Sequence, residues 1–175
     1  MPREISAGGV VLRQMSDVWH VALIEPQTNE PQKESSGKQA VKSAKSPRKR
    51  SLAVLALPKG LVDPGETALA AAVREVFEET GIVAEPVTKL ADNKYVYVRS
   101  WGDRARVFKV VSFYLMRYVS GEIDNLAEEM RIEVVQARWV PLAEASKRLA
   151  YSNERTILRQ AQQHLETLAS SPRLT

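Results

Sequence analysis

Glu75, Glu78 and Glu79 are the residues of this chain whose type and spacing can do chemistry. They lie in the stretch 60–82, which reads GLVDPGETALAAAVREVFEETGI. At about 100° per residue on a helix, the three carboxylates share an arc of about 100°. Leu69, Val73, Val76, Phe77 and Thr80 fall on the other side. The helix is therefore expected to bury an apolar face and to hold its acids opposite. Like charges at these spacings repel by a few tenths of a kcal/mol per pair, and Arg74 lies to one side. Oxygen ligands gathered against that repulsion suit a hard cation, Mg²⁺ or Mn²⁺, shared with substrate phosphates. An isolated ExxEE is more often a solvated acidic face, so its surroundings decide the reading.

Those surroundings are elements able to position a short acidic helix. Thr67 can cap it and Gly81 stands where glycine ends helices. The loop before it, 58–66, is rich in Pro and Gly. Strands are expected over 8–13, 18–25, 52–57, 106–118 and 137–140. Residues 86–99 contain the alternating run YVYVR, joined to the next strand by a turn at SWGDR. Pro141 is expected to start a small helix, and Asn153 to cap a last one whose stripe is Ile157, Leu158, Ala161, Leu165 and Leu168. Strands with a helix between them and helices at the end predict an α/β fold in the α+β sense. Its mixed β-sheet would be sandwiched between helices.

The segment 60–82 resembles the signature of the Nudix hydrolase family, carried by Gly60, Glu66, Arg74, Glu75, Val76, Glu78, Glu79, Gly81 and Ile82 without departure. The resemblance implies one Nudix domain over 1–175 and hydrolysis of a phosphoanhydride in a nucleoside diphosphate linked to another group. It also implies Mg²⁺, with Mn²⁺ as the alternative ion. Such chemistry asks for electrostatic stabilisation and positioning more than covalent work. Carried over by position, Glu75 and Glu79 are the main metal ligands, and Glu78 is a further ligand or the general base. The Gly60 carbonyl completes the shell. Glu66 and Arg74 hold the loop on the helix as a charge pair, with Gly81 structural beside them. Many family members add a carboxylate six residues before a tryptophan, which here is Glu133 before Trp139, with Glu128 and Glu129 in the same acidic stretch; the competing reading is an exposed loop charge.

The run LPKGLVDPGE, with YVYV, a Gly-Asp turn and Lys109 on the following strand, is similar to the diadenosine-polyphosphate and diphosphoinositol-polyphosphate branches of that family. Lys59 and Lys109 would then meet phosphates, and Tyr95, Tyr97 or Trp101 would stack on a base. The structural alternatives are solvated lysines and half-buried strand aromatics. The leading expectation is a hydrolase of a small nucleoside polyphosphate such as diadenosine tetraphosphate. The second is a pyrophosphohydrolase of nucleoside triphosphates, including oxidised ones. The third acts on RNA 5′ ends, which would make nucleic acid the partner. The fourth, a non-catalytic nucleotide-binding module, fits poorly with retaining three repelling acids.

Composition bounds these readings. The chain has 175 residues, 44% apolar and 26% charged, which is globular composition for one domain. It has no cysteine, which excludes a disulfide scaffold, a zinc-thiolate site and a cysteine nucleophile, and only two histidines, His20 and His164, so a multi-histidine metal site is not expected. No apolar run reaches the roughly 18 residues of a membrane span, and the first residues carry no secretory apolar region. A cytoplasmic address is the resulting expectation. The stretch 28–50 holds seven basic and two acidic residues, a local excess of five positive charges against +4 for the whole chain. Residues 27–51 are expected to be a basic, mobile inserted loop.

Overall fold

The computed structural model describes residues 1–27 and 53–170. The basic loop expected over 27–51 lies, beyond Gln27, outside the described residues. The elements in chain order are β1 (Arg3–Met15), β2 (Val18–Pro26), β3 (Lys59–Leu61), α1 (Ala68–Thr80), β4 (Ile82–Val98) and β5 (Arg106–Gly121). A 3₁₀ turn (Glu128–Ile132), β6 (Val134–Pro141), α2 (Leu142–Arg148), α3 (Ser152–Gln163) and α4 (Leu165–Ser170) follow. The strands form one sheet in the order β4-β5-β1-β2-β6, with β3 paired to β1. The β1–β5 pairing is parallel and the others are antiparallel, so the sheet is mixed, as expected.

Alternation along β1 divides the core in two. Val10 and Leu12 face α2 and α3 with Leu23, Phe113, Leu115, Ile157 and Leu158. Ala7 and Val11 face α1 with Ala71, Ala72, Val76 and Met116. Gly8 and Gly9 sit between these layers. A Cβ on Gly8 would strike Pro58 and Lys59, and one on Gly9 would lie 2.7 Å from Val76. The pair therefore lets the loop before α1 and α1 itself close on opposite faces of one strand.

Several local expectations change. α1 is capped by Thr67, whose side chain accepts from the Ala70 N–H at 3.1 Å, and ends at Gly81 with φ 79°. Its buried residues, however, are Ala71, Ala72, Glu75, Val76, Glu79 and Thr80, while Leu69 and Phe77 are exposed. Two of the acids thus share the buried side instead of opposing it. The small alanines let α1 sit close to β1, and the larger apolar residues are left outside. Of the strand expected over 52–57, residues 53–57 are described and make isolated bridges at Leu55 and Ala56 instead of a full strand. Tyr151, not Asn153, precedes the first turn of α3, and the terminal helix breaks at His164. β3 and the 3₁₀ turn were hidden in stretches that read as loop.

Candidate active site

The site is assembled where the loop before α1 passes between β1 and the buried side of that helix. Arg74 organises the outer half. Its Nε and Nη2 donate to the two oxygens of Glu66 at 2.8 Å each, and Nη2 also reaches the Leu61 carbonyl at 2.9 Å. Its Nη1 donates to Glu75 at 2.8 Å and to Glu78 at 3.1 Å. The guanidinium therefore does more than pair with Glu66: it also partly neutralises two of the three acids. These bonds hold the Glu66 carboxyl down at about 2.

The inner half has less compensation. Glu75 is 8% exposed and Glu79 5%. Burial pushes the Glu75 carboxyl up, Glu78 and Glu133 add to it, and Arg74 opposes it. Glu79 rises to about 8, through burial first and then the charge of Glu75. Its hydrogen-bond partner among the described residues is the Lys59 backbone N–H, at 3.2 Å. Gly60 lies against the Glu75 carboxyl so closely that a Cβ there would overlap it.

A cleft of about 290 Å³ opens beside these groups, lined by Ser6, Lys59, Gly60, Glu79, Lys109 and Glu133 among others. Glu133 is exposed at the rim and bears electrostatically on Glu75 and Glu79. Both lysines reach the cleft already paired. Lys59 Nζ is 2.8 Å from Glu154, and Lys109 Nζ is 2.7 Å from Glu4. Burial would lower the Lys59 ammonium, but the Glu154 carboxylate outweighs it and raises it. Tyr95 and Tyr97 do not line the cleft. Tyr97 donates to Glu4 at 2.8 Å, and Tyr95 packs beside the α2–α3 core. Trp101 is 61% exposed at the β4–β5 turn.

The donor set fits Mg²⁺ or Mn²⁺: Glu75, Glu79 and Glu133 supply only oxygen, two of them are buried, and Glu79 lacks a cationic side-chain partner at ion-pair distance among the described residues. Among the described residues no three His, Asp or Glu side chains close into a ready-made cage, and Arg74 pairs with Glu78 and with one Glu75 oxygen.

Four residues were not singled out from sequence: Ser6, Glu4, Glu154 and Tyr151. Ser6 is 1% exposed and its Oγ has no hydrogen-bond partner. Glu154 carries a readable signal, an acid on the stripe that also buries Ile157, Leu158 and Ala161 of α3.

A mixed sheet between helical layers, with a capped acidic helix turned toward a cleft, defines an α/β domain of the Nudix fold class. A family model described as NUDIX domain matches residues 29–161, and the chain belongs to the Nudix hydrolase family. It is 39% identical over 122 residues to the "Putative mutator protein MutT4" of Mycobacterium tuberculosis, across 70% of this chain and 46% of that protein. It is 32% identical over 100 residues to an RNA pyrophosphohydrolase of Sphingopyxis alaskensis, across 52% of this chain and 63% of that one. The chain thus spans less than half the length of the mycobacterial relative. In fold it matches the crystal structure of a C. elegans Ap4A hydrolase binary complex, with TM-score 0.62, 22% identity, and 94% and 98% of the two chains covered. None of the described helices is long and apolar enough to cross a membrane.

Proposed function

We infer that residues 1–175 act as one domain that hydrolyses a phosphoanhydride bond in a nucleoside polyphosphate with the help of Mg²⁺. A dinucleoside polyphosphate such as diadenosine tetraphosphate is the first candidate substrate. The observation that carries this reading is the pair Glu75 and Glu79, buried beside Gly60 with incomplete neutralisation. An enzyme tolerates such a cost where the charge is used.

Glu75, Glu79, Glu133 and Gly60 would hold the ion. When bound, Mg²⁺ neutralises phosphate charge and lowers the pKa of water. Arg74 fixes the loop 61–66 on α1, and so fixes Gly60 relative to Glu75. Glu78, the most exposed of the three acids, has one oxygen on Arg74 and the other directed to no described donor. That second oxygen takes the proton of the attacking water in this reading. Lys59 and Lys109 orient the phosphate chain, and the Ser6 hydroxyl offers it a buried donor.

A second reading, cleavage of a single nucleoside triphosphate, is favoured by a specific observation. Each cleft lysine already has a carboxylate partner, which leaves little spare positive charge for a long phosphate chain. The likeness to a protein named as a mutator supports it too. Product analysis separates the two. Purified protein with Mg²⁺ is offered diadenosine tetraphosphate, standard and oxidised triphosphates, and 5′-triphosphorylated RNA. The first reading expects two nucleotides from diadenosine tetraphosphate that together carry its four phosphates, a nucleoside monophosphate and a nucleoside triphosphate. Cleavage of triphosphates with the dinucleotide left intact selects the second, and preference for RNA rejects both.

A further inference from the structure

We propose that Glu154 is a positioning residue of this site, acting from the first turn of α3 through the segment 57–60. It rests on the proposed ion site for its Mn²⁺ arm and on the hydrolase reading for its turnover arm. Glu154 is 2% exposed, and both its oxygens are used. Oε1 accepts the Leu57 backbone N–H at 2.7 Å and Oε2 accepts Lys59 Nζ at 2.8 Å. The backbone N–H of the same Lys59 donates to Glu79 at 3.2 Å. Gly60, next in the chain, abuts the Glu75 carboxyl. One buried carboxylate on the far side of the sheet thus grips the segment at two points, and that segment touches both buried acids of α1.

The surrounding contacts aim the same way. Ala150 N–H donates to the Leu55 carbonyl at 3.2 Å, Ala56 and Ile24 exchange two bonds at 2.9 Å, and Gly9 N–H meets the Pro58 carbonyl at 3.2 Å. Leu55, Ala56 and Pro58 are thus anchored by backbone bonds, Leu57 by the Glu154 carboxylate, and 59 and 60 by β3 pairing to β1 together with the Lys59 side chain. Lys59 Nζ also lies 5.5 Å from the Tyr151 ring centre, on the same wall of the cleft. A salt bridge on the surface would do little here. This one is enclosed, directional and shared with a backbone donor, so removing its charge changes geometry and not only energy.

The test compares Glu154→Gln, Glu154→Asp, Lys59→Met and the double change Glu154→Gln with Lys59→Met in the full chain. Two readouts are taken: Mn²⁺ binding by the resting protein, followed by electron paramagnetic resonance, and steady-state turnover with Mg²⁺. Glu154→Gln keeps an acceptor for Leu57 N–H but loses the hold on Lys59. It is expected to weaken Mn²⁺ binding about fivefold or more and to lower kcat at least tenfold, with KM changed less than threefold. Glu154→Asp is expected to recover part of both. The double variant should lose no more than Lys59→Met alone, because one residue acts through the other. It also tests the idea should Glu154→Gln fail to fold, since removing both charges avoids a buried unpaired ammonium. Folded Glu154→Gln with wild-type Mn²⁺ affinity and kcat overturns the proposal. So do additive losses in the double variant. A wild type that binds Mn²⁺ but hydrolyses none of the substrates overturns the hydrolase reading instead, and the Mn²⁺ comparison then decides Glu154 by itself.

Discussion

Glu66 and Glu79 belong to one motif and meet opposite fields. Glu66 takes two guanidinium bonds of 2.8 Å from Arg74, which hold its carboxyl at about 2. Glu79 is buried beside Glu75 and Glu133, and burial first, then like charge, lifts it to about 8. The first acid has its cation built into the fold. The second waits for a proton or an ion from outside. Linkage gives the two opposite pH signatures. With the Glu79 value above its ordinary 4.5, the folded state holds the extra proton, so its contribution is present below about 4.5 and is lost as pH rises through about 8. For Glu66 the contribution is present above 4.5 and is lost as pH falls toward about 2.

The largest expected effect comes from Glu79→Gln. Turnover should fall by about 10²–10⁴-fold, while the Tm measured with chelator at pH 8 should rise. A drop of less than tenfold would break the contrast at its functional end. Next is Gly60→Ala, whose methyl group must displace the Glu75 carboxyl. A shift of about 1 Å in such a group costs about 10²-fold in rate, with the far-ultraviolet circular dichroism unchanged. Third are melts across pH with chelator present. The wild type should lose stability between pH 5 and 8, Glu79→Gln should be flatter, and Glu66→Gln should lower the Tm at pH 7 but make little difference near pH 2. Equal profiles for all three would erase the distinction. Adding Mg²⁺ at pH 8 should restore about 2.7 kcal/mol at 100 times its Kd. The smallest effect is expected at Ser6. Ser6→Ala removes a buried hydroxyl without a partner and should change stability by at most about 1 kcal/mol in the stabilising direction. KM should rise if the hydroxyl meets substrate.

The order of the long strands and of α1 was legible because period and punctuation agree, whereas the short β3 was not and 52–57 read falsely as a strand. Thr67, Gly81 and the acidic run mark α1 without ambiguity. The face it buries was not legible. A helical wheel weighs Leu69 and Phe77 by hydrophobicity, whereas packing against Gly9 and Ala7 rewards the slim residues Ala71 and Ala72 and brings Glu75 and Glu79 inward with them. The local pairing of Glu66 with Arg74 spans eight residues and can be read from spacing. Glu154 lies 95 residues from Lys59, and Glu4 meets Lys109 only through the parallel register of β1 and β5. Contacts that depend on which strands become neighbours leave no trace in any one stretch of chain.

The two paired lysines also bear on the sequence of binding events. With Lys59 matched by Glu154 and Lys109 by Glu4, the described walls keep little spare positive charge, while Glu133 lies on them and Glu79 adds a second negative group once pH passes about 8 or a cation displaces its proton. In the hydrolase reading, walls of this charge would disfavour a bare polyanion and favour one that arrives with divalent ions. Discrimination between the two occurs before any bond is strained, at the level of encounter.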